Sequence, residues 1–115
     1  MQNIPLALTF GDVLLTPQRS SVKSRSQVSL KTRITPKIEI DFPVISTNMD
    51  CITGADMAIA MAKFGGISFY PRFAPIEIQK QEVKKIIDSG FNVIPSVGIK
   101  PGELDRISAL SLIHI

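Results

Sequence analysis

Tryptophan is absent, and cysteine, histidine and tyrosine each occur once, as Cys51, His114 and Tyr70. A single cysteine excludes an internal disulfide framework and fits a reducing cytoplasm. The lone histidine stands far from Cys51, so a cysteine–histidine pair is not available for nucleophilic catalysis. No paired carboxylates, metal-ligand cluster or catalytic triad is visible, so no metal is expected. No apolar run approaches the ~18 residues that a bilayer-spanning helix needs. Met1-Gln-Asn-Ile-Pro5 also lacks the basic and apolar regions of a secretory signal. Together these absences predict a cytoplasmic chain with no membrane partner. No Gly-x-Gly-x-x-Gly follows a strand, which disfavours a Rossmann dinucleotide domain.

What is present suits a folded α/β domain. Of 115 residues, 44% are hydrophobic and 20% charged, enough apolar material for a core and too little charge for disorder. The net charge is +3. Arg19, Lys23, Arg25, Lys31 and Arg33 share one polar stretch without an aromatic residue. Nucleic-acid sites usually interleave stacking aromatics or present a reading helix. The stretch therefore reads as a solvated, extended arm, and nucleic acid is not the expected partner.

Residues 1–42 differ in rhythm from the rest. Leu8-Thr-Phe-Gly-Asp-Val-Leu-Leu-Thr-Pro17 is a short apolar patch. Ser20 to Arg33 then alternates polar and apolar residues, as an extended arm or edge strands would. Ile38, Ile40 and Phe42 alternate with Glu39 and Asp41 and predict a half-exposed strand. From Pro43 to Ala109 the chain reads as repeated strand–helix units. Strands are predicted at Val44–Ser46, Ile67–Tyr70 and Val93–Val97, their starts 23 and 26 residues apart.

Three helices are predicted after these strands. Thr53-Gly-Ala-Asp56 matches a capping box, Met57, Ala60, Met61 and Phe64 follow at helical spacing, and Gly65-Gly66 supplies the stop. Pro75 opens the second helix, with Val83, Ile86 and Ile87 on its apolar face and Ser89-Gly90 at its end. Pro101 to Ala109 forms the third, with Leu104 and Ile107 expected to face inward. Helices between all strands imply a parallel sheet. The remaining common solution is a (β/α)₈ TIM barrel, which typically needs ~250 residues, so the chain would supply three units of an incomplete barrel preceded by an extended β arm.

Polar residues gather where the strands end. Ser46, Thr47, Asn48, Met49, Asp50 and Cys51 follow the first, the face on which parallel α/β proteins place their chemistry. Two readings stay open there: hydrogen bonds to a polar ligand, or Asn48 and Asp50 satisfying loop amides. Arg72 follows the second strand, where it is equally suited to meet a phosphate or ring, or to remain solvated. Cys51 reads as a small filler.

The sequences Leu8-Thr-Phe-Gly-Asp-Val-Leu-Leu-Thr-Pro17, Arg19-Ser-Ser-Val-Lys-Ser-Arg25, Ser46-Thr-Asn-Met-Asp50 and Met57-Ala-Ile-Ala-Met-Ala-Lys-Phe-Gly-Gly66 together resemble the IMP dehydrogenase/GMP reductase family. The likeness runs from Leu8 to about Ala109. It implies a (β/α)₈ barrel, usually a homotetramer, acting on a purine nucleotide (IMP or GMP) with NAD or NADPH. It also implies substrate contacts at Ser46, Thr47, Asn48, Met49 and Asp50, and a position near the cofactor for Arg72, where many dehydrogenases carry histidine. The family's nucleophilic cysteine lies on a loop after the sixth strand, so no catalytic residue is assigned here, and Cys51 stands where threonine is usual. Most dehydrogenases insert paired CBS modules after the second strand. Arg72 is instead followed directly by one helix and Val93-Ile94-Pro95-Ser96-Val97, which leans toward GMP reductase, whereas Ile52-Thr53-Gly54 leans toward the dehydrogenases.

Leu110-Ser-Leu-Ile-His-Ile115 departs from the family pattern. Those six residues can be written CTG TCT CTT ATA CAC ATC, which resembles the end of a transposase-based sequencing adapter. The expectation is a non-native tail over 110–115 on a fragment that is inactive alone. Amphipathic Ile107-Leu110-Ile113 spacing permits a genuine helix end instead. The alternative function is a small α/β binding or subunit-interaction module with no catalysis.

Overall fold

The computed structural model describes residues 5–112; His114 lies outside the described residues. Residues 5–31 carry two short 3₁₀ turns, Phe10–Asp12 and Arg25–Gln27, and no strand. The first turn is closed by Asp12, whose carboxylate accepts from Thr9 N (2.8 Å) and Thr9 Oγ1 (2.7 Å). These two donors hold the Asp12 carboxyl below the usual carboxylate range, the backbone donor first. The apolar patch expected here does not join the core: Phe10, Leu14 and Leu15 are 97–99% exposed.

The arm ends in an antiparallel hairpin, β1 (Thr32–Thr35) and β2 (Ile38–Ile40), turning through Pro36-Lys37. Thr35 Oγ1 accepts from Lys37 N and Ile38 N, fixing the turn. Lys31 reaches Asp41 at 3.0 Å and Arg33 reaches Glu39 at 3.7 Å. Both pairs are solvated, so they steer register more than they add stability. The predicted strand stops at Ile40, because Asp41 N and Phe42 N turn away to bond Gly65 O.

The remaining elements alternate: β3 (Ile45–Ser46), α1 (Ala55–Lys63), β4 (Ile67–Tyr70), α2 (Ile76–Asp88), β5 (Ile94–Pro95) and α3 (Glu103–Ser111). The strands form one parallel sheet in the order β3-β4-β5. Ala55, Ala58, Tyr70, Val83, Ile86, Val93 and Leu110 make the core, with Ile59, Ile87 and Phe91 packed against it. The second helix buries the stripe its sequence predicts, Val83 and Ile86 being wholly buried.

The glycines after α1 and α2 stop both helices in the same way. Gly65 and Gly90 adopt φ of +84° and +83°. Gly65 N bonds Ala62 O and Gly66 N bonds Met61 O, while Gly90 N bonds Ile87 O and Phe91 N bonds Ile86 O. This is the Schellman pattern, open to glycine because, lacking a Cβ, it escapes the steric penalty that other residues carry in the left-handed conformation.

Two local expectations are corrected. The residue before α1 is Gly54, not Thr53, and no side chain of its own turn caps the helix. Thr53 is buried and donates its hydroxyl to Thr47 O, while the free amide of Ala55 is satisfied by Glu82 Oε2 from α2 at 3.1 Å. Asp56, expected to close the box, pairs with Lys85 at 2.8 Å. That bond draws Asp56 down and Lys85 up from their ordinary pKa values. Tertiary packing thus supplies the cap that the local pattern promised. Glu82→Ala is expected to cost about 1 kcal/mol, the usual loss of a cap, read as a lower urea midpoint at unchanged slope.

The second correction concerns α3. Leu104 and Ile107 face outward, at 73% and 43% exposure, while Arg106 and Leu110 face in. The reason is the register of the helix: positions 103, 106 and 110 share the stripe facing α2, and Arg106 finds buried oxygens there. Leu110 is core, and Ser111 Oγ bonds Ser108 O within the same helix.

Candidate functional site

The carboxyl ends of β3, β4 and β5 lie side by side because the strands are parallel and in register, with Ile45 opposite Ile67, Ser46 opposite Ser68, and Tyr70 opposite Pro95. The five residues from Ser46 to Asp50 therefore sit on the same edge as Arg72 and Ser96.

Ser46 is buried, and its hydroxyl donates to Ser68 Oγ at 2.6 Å. It supports the turn from beneath, and Ser68 is a partner the strand pattern did not single out. Thr47, Asn48, Met49 and Asp50 are exposed. Thr47 is tied down through its carbonyl by Thr53, and Ile52 N and Thr53 N both bond Met49 O. Asp50 Oδ1 accepts from the neighbouring Cys51 N at 2.9 Å, so at least one of its oxygens serves the loop. Asn48 reaches across the sheet edge: its Nδ2 donates to Ser96 Oγ at 3.3 Å. Cys51 is an exposed free thiol. Among the described residues no group of three or more His, Cys, Asp or Glu could hold a metal ion.

Arg72 is exposed and its guanidinium lies 5.2 Å from the Phe73 ring centroid, within cation–π range. It also faces the loop after β5. A methyl group at Gly98 would fall 2.9 Å from Glu103 Cγ and 3.1 Å from Arg72 Nη1, so the loop passes closely between these side chains. Glu103 Oε2 accepts from Gly98 N at 2.9 Å and from Arg106 Nε at 3.0 Å. The Gly98 amide is the largest influence holding the Glu103 carboxyl below the usual glutamate value, with Arg106 and Arg72 acting in the same direction.

A depressed folded-state pKa stabilises the fold above the unfolded value, and that contribution is lost as pH falls through the folded value. Acid unfolding should accordingly begin to include Glu103 below the ordinary glutamate pKa. Glu103→Gln is expected to flatten that part of the stability–pH curve, measured by urea midpoints across an acid series.

Beneath the loops lies a polar cluster that hydrophobic patterning alone did not find. Gln79 is wholly buried on α2. Its Nε2 donates to Pro71 O at 3.1 Å and Ser96 O at 3.0 Å, and its Oε1 accepts from Arg106 at 2.7 Å. Arg106 also donates to Ala74 O at 3.0 Å. The available signal was positional: Gln79 stands four residues before Val83 and seven before Ile86, a polar side chain on an apolar stripe.

The opposite, amino end of the sheet offers a cleft lined by Ile38, Ile40, Gly65, Gly66, Phe91 and Asn92. The turn of Ser46–Asp50 is not among its lining residues. The sequence-predicted residues Ser46–Asp50 and Arg72 are thus on the edge opposite this cleft.

A model of the IMP dehydrogenase / GMP reductase domain matches residues 7–110. An inosine-5'-monophosphate dehydrogenase of Nitrosopumilus maritimus is 48% identical over 87 residues, 76% of this chain and 18% of that protein. An inosine-5'-monophosphate dehydrogenase of Aquifex aeolicus is 41% identical over 102 residues, 87% of this chain and 20% of that protein. A GMP reductase of Leishmania donovani is 41% identical over 86 residues, 75% of this chain and 18% of that protein. The chain spans about a fifth of the length of these curated relatives. With the match running from the arm through α3, the chain belongs to the IMP dehydrogenase/GMP reductase family.

Proposed function

We propose that this chain forms the opening β/α units of a (β/α)₈ barrel oxidoreductase that acts on a purine nucleotide, IMP or GMP, with NAD or NADPH. The observation that carries this is the placement of Ser46–Asp50 and Arg72 together on the carboxyl edge of a parallel sheet, the ligand face of such barrels. Thr47, Asn48, Met49 and Asp50 contact the nucleotide, Ser46 braces them, and Arg72 stands toward the cofactor. Residues 1–42 serve as the arm, 43–109 as the barrel units, and 110–115 as an appended tail. The assembled enzyme is a cytoplasmic homotetramer. The chain by itself is inactive, since its one cysteine, Cys51, is not the family's nucleophile, which lies on a loop after the sixth strand.

The reductase direction, GMP to IMP with release of ammonia, is favoured by one feature. Between Arg72 and Val93 the chain holds α2 and its two short connections, with no inserted module. The dehydrogenase direction would oxidise IMP to XMP.

Grafting residues 7–109 in place of the matching segment of the Nitrosopumilus maritimus relative tests the site. The graft is expected to oxidise IMP with NAD, and Asn48→Ala within it to raise KM for IMP about tenfold, the scale of one lost hydrogen bond. A folded graft that binds neither IMP nor GMP overturns the proposal. Reading the source DNA past the Ala109 codon tests the parent: the expected result is a frame continuing to a glycine-rich loop with a cysteine.

A further inference from the structure

We propose that Gln79 is a positioning residue for the nucleotide contact at Asn48, its buried amide clamping the ends of β4 and β5 so that Ser96 meets Asn48. The inference rests on the site assignment above, and it concerns a residue on a helix rather than on the ligand edge. Three facts carry it. Gln79 is wholly buried, yet every polar atom of its side chain is engaged. Its two acceptors, Pro71 O and Ser96 O, terminate adjacent strands. Ser96 is the residue whose hydroxyl holds Asn48.

The chemistry admits only one orientation of that amide. Carbonyl oxygens can only accept and a guanidinium can only donate. The side chain must therefore point Nε2 at the two carbonyls and Oε1 at Arg106. Glutamine provides both functions on one planar group, whereas glutamate provides no donor and methionine neither. Arg106 locks the arrangement from the far side, being itself held by Glu103 Oε2 and Ala74 O.

The position of Ser96 is then overdetermined. Its amide donates to Tyr70 O at 2.8 Å, as the sheet requires. Its carbonyl is held by Gln79, and its hydroxyl is left to receive Asn48 Nδ2. Releasing the carbonyl lets the end of β5 rotate about the one remaining strand bond. That rotation carries the Ser96 hydroxyl away from Asn48, and the amide plane of Asn48 loses its direction.

The test uses the full 115-residue chain and reads the side-chain NH₂ signals of Asn48 in ¹⁵N–¹H spectra. Gln79→Glu and Ser96→Ala are each expected to shift that pair by more than a linewidth, and the double variant to shift it no further than Ser96→Ala alone. Val83→Ala, which loosens packing on the same helix, is expected to leave it in place. Gln79→Met, which sets no carboxylate against the two carbonyls, serves if the glutamate variant does not fold. An Asn48 signal that moves with Ser96→Ala but not with either Gln79 variant overturns the clamp. So does a shift of equal size in Val83→Ala, which would make the response one of general packing. Because no nucleotide enters the experiment, its failure is separable from a failure of the grafted enzyme to bind IMP.

Discussion

Replacing Gly66 with alanine is expected to destabilise the fold by about 3 kcal/mol, the upper end of what overpacking a tight site costs. The argument is steric. A Cβ on Gly66 would lie 2.6 Å from Val44 O and 3.0 Å from Met61 Sδ. Methionine can swing aside, because its thioether chain is flexible. The Val44 carbonyl cannot, since it already accepts the Ile67 amide at 3.3 Å as β3 and β4 begin to pair. Moving it breaks the first bond of the sheet, and the Gly66 amide is meanwhile held on Met61 O at the helix stop. Gly54→Ala is the matched control. Its added methyl meets nothing within 4 Å, so its cost should stay below about 1 kcal/mol. Equal losses in the two variants, measured by chemical denaturation, would remove the steric explanation.

The repeating strand–helix rhythm was legible because each signal was local. Ile67-Ser-Phe-Tyr70 is apolar, short and bounded by Gly65-Gly66 and Pro71, and it is β4 to the residue. Gly90 announced the end of α2 through the one conformation that glycine alone adopts freely. The apolar stripe of Val83 and Ile86 required only a period of 3.6. The clustering of Ser46–Asp50 at a strand end followed from the same local reading.

What could not be read locally was set by neighbours distant in sequence. Thr53 has the chemistry of a helix cap, but a carbonyl six residues earlier took its hydroxyl, and the carboxylate of Glu82, 27 residues beyond Ala55, took over the Ala55 amide. Leu104 and Ile107 have the spacing of an inward face, yet α3 turns Arg106 and Leu110 toward α2 instead. A pattern of apolar residues ranks faces by hydrophobicity alone. It cannot see that a guanidinium will be stabilised by two oxygens that other segments bring to it and by a carboxylate one turn earlier on its own helix. Gln79 escaped for the same reason, since its partners Pro71, Ser96 and Arg106 come from three separate segments.

The apolar surface of the chain carries a related lesson. Ile99, Leu104 and Leu112 are 70–103% exposed around α3, and Leu6, Phe10, Leu14 and Leu15 are 87–99% exposed along the arm. The radius of gyration is 18.8 Å, against roughly 13 Å for a compact chain of this length. A protein that buries its apolar groups within itself does not leave such stretches open on two sides. This agrees with a chain that covers about a fifth of its relatives' length, and it accounts for sequence patterns whose core partners do not appear among residues 5–112.

The same buried cluster yields the second large effect. Arg106→Met is expected to cost about 3 kcal/mol, although methionine fills similar volume and is the more apolar residue. Arginine's hydrogen bonds to Ala74 O and Gln79 Oε1 are lost together. Gln79 is wholly buried, so its oxygen has no water to replace the guanidinium and bears the full cost of an unmade bond. Against this stands the gain from burying a thioether in place of a charge. Replacing both members of a buried polar pair can be nearly neutral, whereas removing one is not. The double variant Gln79→Met with Arg106→Met should therefore recover part of the loss, even though it carries one more substitution. Two strand-end carbonyls, Pro71 O and Ser96 O, would still lack their donor, which limits the recovery. Urea denaturation of the two single variants and the double variant measures the coupling. A sum of single losses equal to the double would mean that the two side chains act independently, and the relay from α3 through α2 to the strand ends would not exist as an energetic unit.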